Sequence, residues 1–568
     1  MTPASRQQPA YSDLLPTGGV NAEFERLDIC GVTTEKITAA GTERTVLTIA
    51  PSVFEELAVH AYKEISHFLR ADHLASLRRI IDDPGASDND RFVALDLLRN
   101  AVISAGETLP MCQDTGTAII SVKRPARIWT DGRDAEYLTA GIRRAYEELN
   151  LRYSQLAPLT LFDETNTGTN LPAQIEIGLS AGEVYELLFM AKGGGSANKS
   201  FLYQETKSVL DETRLMEFLA EKISSLGTAA CPPYHLAIVV GGTSAEFALK
   251  TAKLASAHYL DELPREGDAQ TGHALRDERF EQRVQSMTET LGFGAQFGGK
   301  YFCHDVRVVR LPRHNGSLPI AIAVSCSADR QAVARITGDG VFFEKLEHDP
   351  ARFLPPTAVE EEIASESVTP IDLDQPMTKV LAQLAQCEVG DRLSLSGTLI
   401  VARDIVHARI RDMLAEGQSL PEYFLTHPIY YAGPAKTPEG MPSGSFGPTT
   451  AARMDPYIPL FHEQGGSLVT LAKGNRAPSV AESCATHGGF YLGTVGGPAA
   501  RLAAECITDV RVVDMEDLGM EAVWSVRVTD FPAFVVIDDH GNDFFAHVKS
   551  GTQMTLSRTR TAADGDEL

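Results

Sequence analysis

Between Leu109 and Arg330 the sequence alternates short apolar runs with helical stretches, and this alternation constrains the fold more than any other feature. The runs 235–240, 305–311 and 319–326 are strand-sized and rich in Val, Ile, Leu and Ala, whereas 247–257 has the spacing of an amphipathic helix. Strands interleaved with helices build a mixed α/β domain. Upstream, Ser52 and Glu55 form a capping-box pattern. Phe54, Leu57, Ala61, Ile65 and Phe68 then recur at helical spacing, which predicts one helix running to the stop at Asp82-Asp83-Pro84-Gly85.

From about 346 to 376 the pattern lapses. Pro355-Pro356 and Glu360-Glu361-Glu362 stand in a stretch without sustained periodicity, which reads as a linker. Beyond it a Gly- and Pro-rich region, 426–497, gives way to strand-like runs at 509–513, 523–528 and 534–537, with a turn at Asp539-His540-Gly541-Asn542. The chain of 568 residues has material for two large cores. The expected organisation is a disordered polar leader over 1–24, a larger N-terminal α/β domain over 25–345, the linker over 346–376, a smaller C-terminal β/α domain over 377–555 and a flexible tail over 556–568.

The chain carries 51 Lys and Arg against 76 Asp and Glu, a formal net charge of −25. That sign opposes general attraction to nucleic acid or to anionic membranes, so an anion site has to be local. No apolar stretch approaches the ~20 residues of a membrane-spanning helix, and 1–19 lack the apolar core of a secretory signal. The expected compartment is the cytoplasm, with the mitochondrial matrix as the alternative. Eight cysteines (Cys30, Cys112, Cys231, Cys303, Cys326, Cys387, Cys484 and Cys506) include no C-x-x-C pair, and reduced thiols are expected there.

Three segments carry chemistry. Gly193-Gly194-Gly195-Ser196-Ala197-Asn198-Lys199-Ser200 follows an apolar run and comes close to a phosphate loop, but Asn198 stands where that pattern requires a second glycine. What survives is general: glycines after a strand let the backbone approach an anion, and the start of a following helix favours negative charge. Met111-Cys112-Gln113-Asp114-Thr115-Gly116 places a thiol and a carboxylate two residues apart in a turn, and Cys231-Pro232-Pro233 and Ser325-Cys326-Ser327 place two more thiols at the edges of strand-like runs. The third segment, 440–455 followed by Leu471-Ala472-Lys473-Gly474-Asn475-Arg476, sets Arg453, Lys473 and Arg476 among glycines of an acidic chain.

The blocks Cys112-Gln113-Asp114-Thr115-Gly116, 193–203, Cys231-Pro232-Pro233-Tyr234, Gly241-Gly242-Thr243, 294–326, Ser396-Gly397 with Arg403-Asp404, and 444–497 run in one order through both expected domains. Over roughly 50–539 the chain resembles the class I fumarate hydratases, iron-sulfur-dependent hydro-lyases. The resemblance implies a [4Fe-4S] cluster on Cys112, Cys231 and Cys326 of the N-terminal domain, and a C-terminal domain of the swivelling type. Three cysteine ligands leave one iron open as a Lewis acid. It further implies reversible hydration of fumarate to (S)-malate, a step of the tricarboxylic acid cycle. Guanidinium forks match carboxylates, and the resemblance assigns substrate binding to Gln113, Arg152, Arg403, Arg453 and Lys473, with the backbone at Gly195. It assigns the base at carbon to Thr449 and the proton at oxygen to Asp114, with His314 beside it. A homodimer acting on a small dicarboxylate, with no nucleic acid or membrane partner, completes the expectation. Tartrate dehydratases and mesaconate hydratases share this plan and form the alternative reading; a non-catalytic iron-sulfur sensor is a third.

Overall fold

The alternating apolar runs become the strands of two N-terminal sheets. The structure is a computed structural model that describes residues 13–16, 21–39, 41–365 and 368–550; most of the expected leader and all of the expected tail lie outside the described residues. One sheet has the order Phe24–Leu27, Gly340–Glu344, Gln331–Thr337, Tyr185–Lys192, Thr117–Pro125, Gln174–Ser180. The other has the order Phe201–Glu205, Leu318–Ser325, Tyr234–Gly242, Cys303–Arg313, Leu275–Arg276. At its centre Tyr234–Gly242 is buried along its whole length, parallel to Cys303–Arg313 and antiparallel to Leu318–Ser325, which is why it reads as a continuous apolar run. The chain passes between the two sheets twice, through 193–200 and through 326–330. These crossings lie side by side, with the Ala191 amide donating to the Arg330 carbonyl at 3.0 Å.

The single helix expected from Ser52 to Asp82 is two helices, Pro51–His67 and Ala71–Asp82. The break falls where Phe68 stacks on His348, with ring centroids 3.9 Å apart, and Leu69 bridges to Glu347; those tertiary contacts take the backbone into an extended conformation. Ser52 does not cap. The helix starts one residue earlier, at Pro51, whose fixed φ suits a first turn. A true capping box stands at Ser87 and Asp90, starting the helix Asp88–Ser104.

The segment 346–376, expected as a linker, carries the helix Thr357–Ser365 and the strand Val368–Asp372, which pairs with Arg392–Val401. Its acidic run is used: Glu360 pairs with Arg99 at 2.8 Å. Composition had hidden this because the partners lie far away in sequence. The strands Arg392–Val401, Ile429–Tyr430, Val469–Ala472 and Phe490–Gly493 then run parallel, and Val523–Ile537 pairs antiparallel with both the first and the last of them. The pairing therefore closes into a barrel, and the runs 523–528 and 534–537 belong to one long strand. The chain is thus mixed α/β throughout. Among the described residues no helix is long and apolar enough to cross a membrane.

The barrel shares a core with the second N-terminal sheet. Phe297 stacks on Phe534 with centroids 4.0 Å apart, and the Asn100 side-chain oxygen accepts from the amides of Ala500 and Arg501 at 2.9 and 3.1 Å. Asp90 fixes the loop that brings Phe297 there, because its fully buried carboxylate accepts from the amides of Ala295 at 2.6 Å and Lys300 at 3.0 Å. Asp90→Ala leaves these amides unpaired in the core, and the expected loss of unfolding free energy is about 3 kcal/mol; urea denaturation measures it as a lowered midpoint at unchanged slope.

Candidate active site

Each of the three cysteines singled out in the sequence stands where a loop meets a strand. Cys112 precedes Thr117–Pro125, Cys231 precedes Tyr234–Gly242, and Cys326 directly follows Leu318–Ser325. Because Ser325 pairs with His235 in register, Cys326 and Cys231 emerge at the same end of their sheet, and the Ser327 amide donates to the Cys231 carbonyl at 3.1 Å. Cys112 and Cys231 are buried and Cys326 is half-buried. Burial pushes the Cys112 thiol up to about 11 and the Cys231 thiol above its ordinary value, and the neighbouring Cys326 sulfur adds to both effects. The three thiols therefore share one electrostatic neighbourhood.

Cations oppose that effect. Lys473 Nζ donates to Cys231 Sγ at 3.0 Å. Burial works against its charge, yet the sulfurs of Cys231 and Cys112, together with Asp114, hold its pKa above the ordinary lysine value. Arg330, 5% exposed, is held up in the same way by Cys112, Cys326 and Asp114 against its own burial. A second group of cations faces Gly433: a Cβ there would meet Arg403 Nη1 at 2.9 Å and Arg152 Nη1 at 3.5 Å. Burial and the Arg152 charge bring Arg403 down to about 10, which still leaves it charged at neutral pH. Glu521 and the carbonyl of Met520 hold its guanidinium from the other side.

Asp114 occupies the cradle that the glycine loop builds. The loop does not lead into a long helix as expected: Gly194–Ala197 is a single turn, followed by the strand Phe201–Glu205. The Gly194 amide donates to Asp114 Oδ2 at 2.7 Å and the Gly116 amide to Oδ1 at 3.2 Å. A Cβ on Gly193 would fall 2.8 Å from the same carboxylate, and one on Gly195 would fall 3.3 Å from Ala230, next to Cys231. Gln113 Nε2 donates to the Pro448 carbonyl at 3.0 Å, and so ties the Cys112 loop to the segment that carries Thr449. Thr449 in turn pairs with Lys473 through the backbone, and its hydroxyl donates to the Tyr431 carbonyl at 3.2 Å.

Arg453 is more peripheral: it is half exposed and pairs with Asp404 at 3.2 Å, although its charge is felt at Arg403. His314 is not brought to the site within one chain. It stands exposed on the hairpin between Cys303–Arg313 and Leu318–Ser325, whereas Cys326 follows the other end of that eight-residue strand, about 27 Å away at ~3.4 Å per residue. Arg330 and Lys192 were missed in the sequence. Lys192 Nζ lies 3.2 Å from Ser256 Oγ and bonds Ser325 beside Cys326, and burial lowers its pKa to about 8. The only available signal was position: Lys192 directly precedes the crossing that carries the glycine loop, and Arg330 ends the one that carries Cys326.

The donor set fits an iron-sulfur group better than a single ion. Among the described residues, the groups of three ligating atoms lying within 4.8 Å of one another consist of histidines and Asp305, not of these thiols. The cysteines are therefore spread wider than a mononuclear site requires. The cradle is also kept open by glycine, since a Cβ on Gly496 would fall 2.4 Å from Cys231 Sγ and 3.0 Å from the Lys473 chain.

Residues 55–335 match the family described as fumarate hydratase (Fumerase), and residues 340–548 match the family described as fumarase C-terminus. The chain is 55% identical over 500 residues to fumarate hydratase 1, mitochondrial, of Leishmania major, an alignment covering 88% of this chain and 91% of that protein. It is 51% identical over 539 residues to the anaerobic class I fumarate hydratase of Escherichia coli K12, covering 95% and 97%, and 52% identical over 519 residues to the aerobic class I enzyme of that strain, covering 91% and 94%. The chain belongs to the class I fumarate hydratase family.

Gly496→Ala tests the packing around Cys231 directly. The added methyl group overpacks a buried junction, so a loss of about 1–3 kcal/mol is expected, read by denaturation against Gly178→Ala, where a Cβ meets only the Val122 carbonyl oxygen at 3.7 Å.

Proposed function

We propose that this chain interconverts fumarate and (S)-malate, with a [4Fe-4S] cluster held by Cys112, Cys231 and Cys326. The observation that carries the reading is the convergence of Lys473 and Arg330 on three thiols and one carboxylate, in a chain whose net charge is −25, with the cation pair Arg152 and Arg403 joined to the same loop by the Arg152 amide, which donates to Thr115 Oγ1 at 2.9 Å. Such a set suits a dianion beside a thiolate-bound group. When bound, the cluster supplies an iron without a protein ligand, a Lewis acid for the oxygen nucleophile.

The remaining chemistry belongs to the chain. Hydration adds a hydroxyl to one alkene carbon and a proton to its neighbour, so two carboxylates must be fixed while protons move at two atoms. Arg152 and Arg403 form one clamp, and Lys473 with Gln113 and the Gly195 backbone the other, while Arg453 closes the rim. Asp114, oriented by the Gly194 and Gly116 amides, exchanges the proton at oxygen. Thr449 Oγ1, held close to Lys473 by the strand-like pairing of their backbones, exchanges the proton at carbon. His314 has no part in a site built from one chain. In the same reading the barrel unit is of the swivelling type, the enzyme is a cytoplasmic homodimer serving the tricarboxylic acid cycle, and 25–345 and 377–555 are its two domains.

Anaerobic reconstitution with iron and sulfide, followed by assays of fumarate, tartrate and mesaconate loss, tests the reaction against its relatives. Cys231→Ser is expected to abolish both the broad visible absorbance and fumarate turnover, and Cys387→Ser neither; turnover without a cluster overturns the reading. Losing a charge-assisted contact is worth about 1.5–3 kcal/mol, so Arg403→Ala is expected to raise the KM for fumarate by roughly one to two decades at ~1.4 kcal/mol each. Thr449→Val should instead lower kcat with the cluster intact, and steady-state kinetics of the two variants separate these effects.

A further inference from the structure

A second group of ligating side chains lies apart from the thiols. His73 on the helix Ala71–Asp82, His235 on Tyr234–Gly242 and His304 on Cys303–Arg313 each bring one ring nitrogen within 4.8 Å of the other two. His73 Nδ1 is 2.9 Å from His235 Nε2, and Asp329 Oδ1 lies 3.8 Å from the same His235 nitrogen. The opposite ring nitrogens are held by outer partners: His235 Nδ1 by Asp305 at 3.0 Å and His304 Nδ1 by Ser76 Oγ at 2.8 Å. A carboxylate or hydroxyl behind the imidazole, as at His235 and His304, is the arrangement that fixes the tautomer of metal-bound histidines, whereas His73 Nε2 is buried without a partner. His304 leaves its buried Nε2 without a partner.

Charge points the same way. The arginines around this nest are taken by other carboxylates: Arg70 grips Glu344, Arg307 grips Asp261 and Arg276 grips Glu281, each through two nitrogens. Asp329 has no such fork, and Asp305 has only one arm of Arg307, at 3.7 Å. The buried Asp329 and the half-buried Asp305 therefore face the imidazoles without an arginine fork, an arrangement that positive charge beside the rings stabilises. Protons on several rings would set like charges about 3–5 Å apart.

We propose that His73, His235 and His304 form a site for one divalent ion of the zinc type, with solvent as the fourth donor. The ion ties the helix Ala71–Asp82 to the sheet end from which Cys231 and Cys326 emerge. The site is structural and does not rest on the hydratase reading. To test it, holoenzyme fully loaded with iron and sulfide is incubated anaerobically with one equivalent of zinc, desalted, and measured by elemental analysis and zinc-edge X-ray absorption. One zinc per chain is expected, with a nitrogen and oxygen shell near ~2.0 Å and no sulfur near ~2.3 Å. His304→Gln should retain at least tenfold less zinc with iron and sulfide unchanged. Loss of zinc from the native enzyme on desalting, a sulfur shell, or full retention by a folded His304→Gln overturns the proposal. Should that variant fail to fold, the spectrum of the native enzyme decides alone.

Discussion

Lys473 and Arg330 carry charge where water scarcely reaches, and they depend on the anions beside them. Moving such a cation out of water costs several kcal/mol even after relaxation. The thiols face the mirror-image problem, since burial favours their neutral form and takes Cys112 to about 11. Each set offsets part of the other's burial: the sulfurs raise the pKa of Lys473 and Arg330, and those cations moderate the rise at Cys112 and Cys231, whose thiols still stay above their ordinary values. Asp114 joins both, bonded to the glycine loop and close to Lys473 and Arg330. The glycines follow from this crowding: at Gly193 and Gly496 even one methyl group would displace a charged or ligating atom.

The crossings between the two N-terminal sheets make that crowding reachable. A chain that leaves one sheet at Lys192 and returns to it at Gln331 has to pass two short connections over the same sheet ends, and there Cys326, Arg330 and the glycine loop fall into contact. Lys473 follows the barrel strand Val469–Ala472, and Thr449 follows Phe446–Pro448, a short strand paired with Ala432–Pro434 beside the barrel. Gln296 locks the parts together, since its amide nitrogen donates to the carbonyls of Pro232 and Gly496 at 3.0 and 2.8 Å while its oxygen accepts from the Gly496 amide. The neighbours of Cys231 are thereby fixed from both units at once, and a displacement of the barrel is transmitted to the thiol.

Local signals in the sequence were reliable where local physics decides. The runs 235–240 and 319–325 lie within strands buried along their whole length, and 305–311 lies within the partly buried Cys303–Arg313, so Cys231 and Cys326 could be placed at strand ends, while Cys112 could be placed in a turn. The break at Phe68–Arg70 was invisible, because it is made by His348 and Glu347, nearly 280 residues away. The acidic segment before residue 376 looked structureless because its partners, Arg99 and the strand Arg392–Val401, lie elsewhere. Arg330 and the histidine nest were missed for the same reason: positions 73, 235 and 304 share no motif, and only the pairing of strands with one helix end brings them together. His314 shows the converse, a residue whose chain neighbours lie in the matched blocks but whose hairpin carries it away from the thiols.

Arg403 shows how the fold trades stability for binding. Its pKa of about 10 lies below that of an unfolded arginine, so folding disfavours its charged form with a penalty that is full below about 10 and fades as pH rises from there toward the unfolded value. At neutral pH both Arg403 and its neighbour Arg152 are charged and face each other across Gly433. A carboxylate placed between them reverses the sign of that interaction, and it does so without taking up a proton, because the guanidinium is already protonated. On the proposed reading, the repulsion present in the ligand-free fold thus becomes attraction when the dianion binds, and ligand and fold stabilise each other through the same charges.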